Sequence, residues 1–89
     1  MSYFVYILLS GKDGRLYVGC TNDLMKRLLR HTDGFVKSTS NRRPLTLIWK
    51  EEYTDKGKAF SRERFLKSLW GARTKKKILE EYVQKIGHQ

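Results

Sequence analysis

Two side chains that can bind phosphate and accept protons lie together on a predicted helix. Arg27 and His31 are four positions apart, so they lie one turn apart on the border of its apolar face. An arginine guanidinium holds a phosphate through two parallel hydrogen bonds, and a histidine titrates close enough to neutral pH to take up a proton. Just upstream, Tyr17 and Gly19 lie near the end of a predicted strand, where the glycine permits close approach. The combination indicates proton transfer beside a bound phosphate.

The elements that hold these residues follow from turn signals and periodicity. Residues 3–20 form a predicted β-hairpin around the turn GKDG, and the segment TND offers N-caps for a helix that runs to His31. A third strand, LTLIWKEEY, follows Pro44, and two further helices meet at Gly71. The order ββαβαα predicts an α+β fold: a three-stranded, mainly antiparallel β-sheet flanked by helices, in one domain over residues 1–89.

Apolar residues at helical spacing predict which helix faces pack on the sheet. In the first helix the predicted face is Leu24, Met25, Leu28 and Leu29. In the second helix it is Phe60, Phe65, Leu66 and Leu69. The last helix presents Ile78, Leu79, Tyr82, Val83 and Ile86. Trp49 and Trp70 are expected to pack as well, and Cys20 is expected to be a small buried residue.

Net charge is the strongest compositional signal. The sequence contains 19 lysines and arginines against 9 acids, a net charge of +10, which favours a nucleic acid as partner. Apolar content of 39% and charged content of 31% are typical of a soluble globular protein, and no apolar run has the length of a membrane span. A single cysteine excludes an intramolecular disulfide, so a reducing cytoplasm is the expected location.

Five positions, taken in order, resemble the GIY-YIG nuclease superfamily. The matching residues are Tyr6 in VYI, Tyr17 in YVG, Arg27, His31 and Glu63. The sequence is most similar to small stand-alone bacterial and archaeal members related to the nuclease module of the excision-repair incision subunit. The likeness covers about residues 3 to 80, including NRRP and SRERFLKSLWG. Val5 replaces the glycine of the first motif, and the late asparagine with which many members bind phosphate has no counterpart after Glu63.

The resemblance implies an endonuclease that hydrolyses DNA phosphodiesters with one divalent metal, Mg²⁺ or Mn²⁺, in DNA repair or recombination. It implies Glu63 as the metal ligand, Tyr6 as the general base and His31 as the acceptor of its proton. Tyr17 would orient the water or the phosphate, and the two tyrosine roles can be exchanged. Arg27 suits the phosphate, and the scattered remaining acids favour one metal over a two-metal cluster. Ionising an unperturbed phenol at pH 7 costs about 4 kcal/mol, which nearby positive charge reduces.

Basic loops extend the predicted contact with nucleic acid. Residues 24–50 carry seven lysines and arginines and one acid. Within them, Lys37, Arg42 and Arg43 lie in KSTSNRRP, whose cations, hydroxyls and amide suit phosphate. Lys67 is a candidate to take the place of the late asparagine. The segment RTKKK is equally well explained as a solvated helix start. Without a base-reading module, recognition of backbone or shape is expected, and charge does not distinguish DNA from RNA.

Two other hypotheses stay open. The main alternative is a non-catalytic nucleic-acid-binding module on the same scaffold, which would explain both the charge and the missing asparagine. The other is a subunit of a larger repair assembly, whose activity would depend on a partner protein.

Overall fold

The structure, a computed structural model, describes residues 1–87, so the last two residues of the predicted domain lie outside the described part. Its strands are β1 (Tyr3–Ser10), β2 (Leu16–Thr21) and β3 (Leu45–Tyr53). Its helices are α1 (Leu24–Thr32), α2 (Lys56–Lys67) and α3 (Ala72–Gly87), with 3₁₀ turns at Ser40–Arg42 and Leu69–Gly71. The predicted order ββαβαα and the α+β class are confirmed, whereas a single domain over residues 1–89 stays a prediction.

β1 is the central strand of an antiparallel sheet with the order β2-β1-β3. Side chains alternate between the two faces of a strand, so Val5 and Ile7 point to one face and Tyr6 and Leu8 to the other. Cross-strand partners share a face, so Gly19, which is paired with Tyr6, lies on the second face. β2 is an edge strand, and the two faces therefore meet along it.

Each face of the sheet carries its own apolar core, and helices cover both. One core joins the sheet to α2 and α3 and consists of Val5, Ile7, Val18, Ala59, Leu66 and Ile78. The other joins it to α1 and consists of Tyr6, Leu8 and Leu24, with Tyr17, Leu28, Leu45 and Leu47 packed against them. The protein is thus a three-layer structure in which α1 lies opposite α2 and α3.

The predicted packing face of α1 is wrong for two of its four residues. Met25 is 72% exposed and Leu29 is 60% exposed, whereas Leu24 and His31 are buried. A helix of nine residues touches the sheet along a single line of positions spaced by three and four. That line runs through Leu24, Leu28 and His31, so the histidine that was predicted for the border of the apolar face occupies a core position.

The predicted packing face of α2 is confirmed for Leu66 and wrong for the others. Phe60 and Phe65 are exposed, and Leu69 lies outside α2 in the following 3₁₀ turn. The helix ends at Lys67 because the N–H and the hydroxyl of Ser68 both donate to the carbonyl oxygen of Phe65. The residues of α2 that are buried are Ala59 and Leu66. No helix within residues 1–87 combines the length and the apolar character that crossing a membrane requires.

Candidate active site at the sheet edge

Tyr6 fills a space that Gly19 leaves open on the neighbouring strand. The two residues are cross-strand partners on β1 and β2. A Cβ atom at position 19 would lie 2.9 Å from Cε1 of Tyr6 and closer still to its Cζ and its hydroxyl. The close approach predicted at Gly19 is therefore made by the phenol ring of Tyr6, and a side chain larger than hydrogen would displace that ring.

A buried chain of hydrogen bonds runs from Tyr6 through His31 to Thr39. The hydroxyl of Tyr6 lies 2.9 Å from Nε2 of His31, and Nδ1 of His31 lies 2.8 Å from the hydroxyl of Thr39. These three residues are 0%, 1% and 0% exposed, respectively. The loop that carries Thr39 follows α1, and the backbone N–H of Thr39 also donates to the carbonyl oxygen of Val36. The tertiary fold thus joins a strand, a helix and a loop through one imidazole.

The network assigns the proton positions on His31. The hydroxyl of Thr39 has a single proton and lies 3.4 Å from the carbonyl oxygen of Val36, to which we assign that proton. Its oxygen therefore accepts the proton of Nδ1, and the lone pair on Nε2 is left to accept from the hydroxyl of Tyr6. In this assignment His31 is the Nδ1–H tautomer, with its basic nitrogen directed at the tyrosine.

Burial keeps both partners of this central hydrogen bond neutral. Desolvation and then the phenol of Tyr17 raise the pKa of Tyr6 well above its ordinary 10.0, and the charge of Arg27 only partly opposes this. Desolvation and then the charge of Arg27 lower the pKa of His31 below its ordinary 6.5. At pH 7 His31 is therefore a neutral acceptor beside a protonated phenol.

Tyr17 and Arg27 lie on the side of this chain that is open to solvent. The Tyr17 ring centre is 5.0 Å from that of His31 and 6.2 Å from that of Tyr6, and Tyr17 is half-buried. Arg27 is also half-buried and lines two open grooves that share the end of β2. Tyr6, Tyr17, Arg27 and His31 thus form one cluster on the α1 face of the sheet.

Glu63 approaches the same edge from the opposite face. It lies between Ala59 and Leu66 on the sheet-facing side of α2, its side chain is 20% exposed, and its carboxylate is 3.1 Å from Nζ of Lys67. A carboxylate covered to this degree is costly unless a partner compensates it. Its position on the sheet-facing side of α2 distinguishes Glu63 from an ordinary surface acid.

Cys20 lies on the edge strand β2, where charged residues from both faces of the sheet act on its thiol. Burial raises the pKa of its thiol, the charge of Glu63 raises it further, and the charges of Lys67 and Arg27 lower it. Cys20 is half-buried rather than fully buried, and it lines the groove between α1 and α2. That groove is lined by Tyr3, Cys20, Thr21, Asn22, Arg27, Lys56 and Phe60. Arg27 and Glu63 therefore flank the end of β2 from its two sides.

The carboxylates on α2 and β3 differ in how much capacity they keep for a metal ion. Glu51 accepts hydrogen bonds from Arg62 through both oxygens, and also from Trp49 and Tyr53. It is therefore a structural anchor between β3 and α2. Glu63, by contrast, has Lys67 as its ion-pair partner within residues 1–87.

The residues around Glu63 fit a cation held mainly by water and substrate. Within residues 1–87 no three histidine, cysteine, aspartate or glutamate side chains cluster as a ready-made cage. Mg²⁺ is often bound by only one or two carboxylates together with water and phosphate oxygens, so a single carboxylate suits it. Lys67 must then release Glu63 or share it.

The predicted DNA-binding residues in the loop also have structural partners. Arg43 donates to the carbonyl oxygens of Ser40 and Thr32, and Nε of Arg42 lies 3.5 Å from the carboxylate of Asp13. Lys37 is exposed. Contact of these residues and of Lys67 with nucleic acid stays a prediction.

Thr39 is the residue that sequence reasoning missed. Its segment, KSTSNRRP, was interpreted as a phosphate-binding loop, and its four hydroxyl and amide side chains look alike in sequence. Thr39 differs from its neighbours only in being fully buried against His31. The sequence could have pointed to such a residue in one way: a buried histidine needs a hydrogen-bond partner at each ring nitrogen.

Comparisons with known proteins agree with this architecture. The sequence model of the GIY-YIG catalytic domain matches residues 2–78. A UPF0213 protein of Staphylococcus epidermidis is 38% identical over 80 residues, which is 89% of this chain and 95% of that protein. The UPF0213 protein YazA of Bacillus subtilis is 40% identical over 90% of this chain and 79% of its own length. The solution NMR structure of the UPF0213 protein BH0048 from Bacillus halodurans superposes with a TM-score of 0.58 at 33% identity, covering 90% of this chain and 84% of that one.

Proposed function

This chain belongs to the GIY-YIG catalytic domain family, and we propose that it is a metal-dependent endonuclease that hydrolyses DNA phosphodiester bonds. The observation that carries the proposal is the buried chain from Tyr6 through His31 to Thr39, which opens toward Arg27. The net charge of +10 supports a polyanionic substrate. We assign the activity to DNA repair or recombination in the cytoplasm.

In the proposed reaction, Tyr6 relays the proton of the attacking water. The raised pKa of Tyr6 disfavours a free phenolate, so Tyr6 passes its own proton to Nε2 of His31 as it accepts one from the water. The lowered pKa of His31 keeps it ready to accept at neutral pH. Because Tyr6 is fully buried, the water approaches past the half-exposed Tyr17, which orients it.

Arg27 holds the scissile phosphate in this proposal. Its guanidinium lines both grooves at the end of β2 and can offer two parallel hydrogen bonds to the phosphate oxygens. The chemistry that a divalent cation supplies when bound is neutralisation of charge on the phosphate and on the leaving oxygen. Glu63 is the residue that would hold it, across the β2 edge from Arg27.

The test uses substrates of several shapes and a matched acid control. Supercoiled and branched DNA are incubated in Mg²⁺ with wild type, Glu63→Gln, Arg27→Ala and Glu52→Gln, the last being an exposed acid outside the cluster. We expect cleavage by wild type and Glu52→Gln and at least a hundredfold less by the other two. If wild type leaves every substrate as intact as Glu63→Gln does, the endonuclease proposal is refuted.

A non-catalytic nucleic-acid-binding module is the second candidate, favoured by the ion pair between Glu63 and Lys67. It predicts DNA or RNA binding that Glu63→Gln leaves unchanged or strengthens, because that substitution frees a lysine, with no cleavage in Mg²⁺ or Mn²⁺. Activity that appears only with a repair-protein partner would support the subunit hypothesis instead.

A further inference from the structure

The turn between α2 and α3 presents two large apolar side chains to solvent. Leu69 is 94% exposed and Trp70 is 84% exposed, so the expected packing of Trp70 is wrong. Tryptophan is highly buried on average, which makes an almost fully exposed one informative. A single exposed apolar residue needs no explanation, but here two adjacent large ones, Leu69 and Trp70, are exposed together.

The exposure of Trp70 follows from a turn whose backbone is closely packed. The N–H of Gly71 donates to the carbonyl oxygen of Ser68 at 3.1 Å, and Ser68 is tied to Phe65. A Cβ atom at position 71 would lie 2.6 Å from Cα of Leu66 and closer still to the carbonyl oxygen of Phe65. The buried side of the turn therefore has no room for a side chain, and Trp70 is held outward.

The segment that carries Trp70 is strongly basic, which favours a polyanionic partner. Residues 64–77 contain six lysines and arginines and no acid. These cations are Arg64, Lys67, Arg73, Lys75, Lys76 and Lys77. Lysine is depleted at protein–protein interfaces, so a lysine-rich segment does not suit a protein partner. An aromatic ring among cations is the arrangement that binds single-stranded nucleic acid, in which bases stack on the ring and phosphates pair with the cations.

Trp70 follows the end of α2, the helix that carries Glu63. It is three residues after Lys67, so the Cα atoms of Lys67 and Trp70 are at most about 11 Å apart. The ammonium group of Lys67 pairs with Glu63. Arg73 is three residues beyond Trp70 and is exposed. Lys67 and Arg73 therefore flank Trp70 along the chain, each three residues away.

We propose that Trp70 is a stacking platform for an unpaired base, with phosphates of the same strand bound by neighbouring cations such as Arg73. The proposal deepens the endonuclease assignment and rests on it only for the position of the cut. It selects substrates that carry a single-stranded or splayed nucleotide. Intact duplex, whose bases are already stacked on one another, does not engage the ring.

Tryptophan emission tests the proposal without any cleavage. Oligothymidylate is titrated in EDTA and low salt into wild type and into Trp70→Phe. The tryptophan that remains in the variant is Trp49, which donates to Glu51 inside the contact between β3 and α2. We expect quenching in wild type and little change in Trp70→Phe. Trp70→Ala should bind about tenfold more weakly, and Trp70→Phe, which keeps a ring, should bind nearly as well as wild type. Blunt duplex should bind wild type and Trp70→Ala equally.

Unchanged wild-type emission at saturation, together with wild-type affinity in Trp70→Ala, would overturn the stacking role. A dimer in sedimentation analysis that Trp70→Ala abolishes, without quenching by oligothymidylate, would also overturn it and assign the surface to a second copy. The two proposals fail separately. Quenching without cleavage of any DNA refutes the endonuclease and leaves the platform, whereas cleavage without quenching refutes only the platform.

Discussion

Replacing Thr39 by valine removes one buried hydroxyl and changes little else in shape. In wild type this hydroxyl lies 2.8 Å from Nδ1 of His31 and, in the tautomer assigned above, accepts its proton; both residues are essentially inaccessible to water. Thr39→Val leaves that N–H without a partner in the protein interior. The imidazole then either keeps an unsatisfied donor or turns to the other tautomer, in which Nε2 carries the proton and cannot accept one from Tyr6.

The stability cost follows from the burial of this donor. An unsatisfied buried donor costs about 1–3 kcal/mol of unfolding free energy. For a domain of this size, each kcal/mol lowers the melting temperature by roughly 4–8 °C, so we expect a decrease of about 10 °C. Thr39→Ser is the matched control, because it keeps the hydroxyl and loses one buried methyl group worth about 1 kcal/mol.

The catalytic cost has a different signature. If loss of the hydroxyl leaves the Nδ1–H tautomer about 1.4 kcal/mol less stable than the other tautomer, about one molecule in ten keeps the productive form and kcat falls about tenfold. KM should stay unchanged because Thr39 does not line the substrate grooves. Thr39→Ser should keep most of kcat at a similar stability.

Nitrogen-15 NMR of the imidazole gives a readout that does not depend on activity. We expect wild type and Thr39→Ser to show a protonated Nδ1 and an unprotonated Nε2 on His31, and Thr39→Val to show a mixture or the reverse. A Thr39→Val protein that retains the wild-type tautomer and the wild-type kcat would refute the role assigned to Thr39.

Three further predictions concern the same cluster. Gly19→Ala should displace the ring of Tyr6, costing about 1–3 kcal/mol by overpacking and most of the cleavage activity, as measured by urea denaturation and by DNA nicking. The pKa of His31 is lower in the folded state than in the unfolded state, because burial disfavours the charged imidazole. The contribution of the neutral imidazole to stability is therefore complete above about pH 6.5 and is lost as pH falls through the folded pKa. The urea midpoint should decline between about pH 7.5 and pH 5 in wild type, and it should decline less in His31→Gln. Glu51→Gln should lower the melting temperature, because four hydrogen-bond donors converge on that carboxylate. Glu63→Gln should leave the melting temperature unchanged or raise it, because in the described part of the chain Glu63 has only the ion pair with Lys67 to lose. Equal decreases in melting temperature in the two variants would contradict the different roles assigned to these acids.

Local sequence signals were sufficient for the secondary structure and for the types of the candidate site residues. The three strands, their turn signals and the helix caps depend on neighbouring residues, so their order could be predicted. Asp23 and Asp55, for example, cap α1 and α2 through their side chains. The five spaced positions that resemble the GIY-YIG superfamily were visible for the same reason, because motif order is a property of the chain.

Only the tertiary structure decided which side chains are covered and which groups meet. Met25 and Trp70 look like core residues in sequence, but a short helix and a closely packed turn leave them in solvent. Thr39 acquires a role because a loop eight residues beyond His31 folds back over the imidazole. Glu63 and Arg27 both act on the thiol of Cys20 from opposite faces of the sheet, because β2 is an edge strand around which the two faces meet. Sequence patterns report the periodicity within an element, whereas burial, proton position and the convergence of charges depend on the distances between elements.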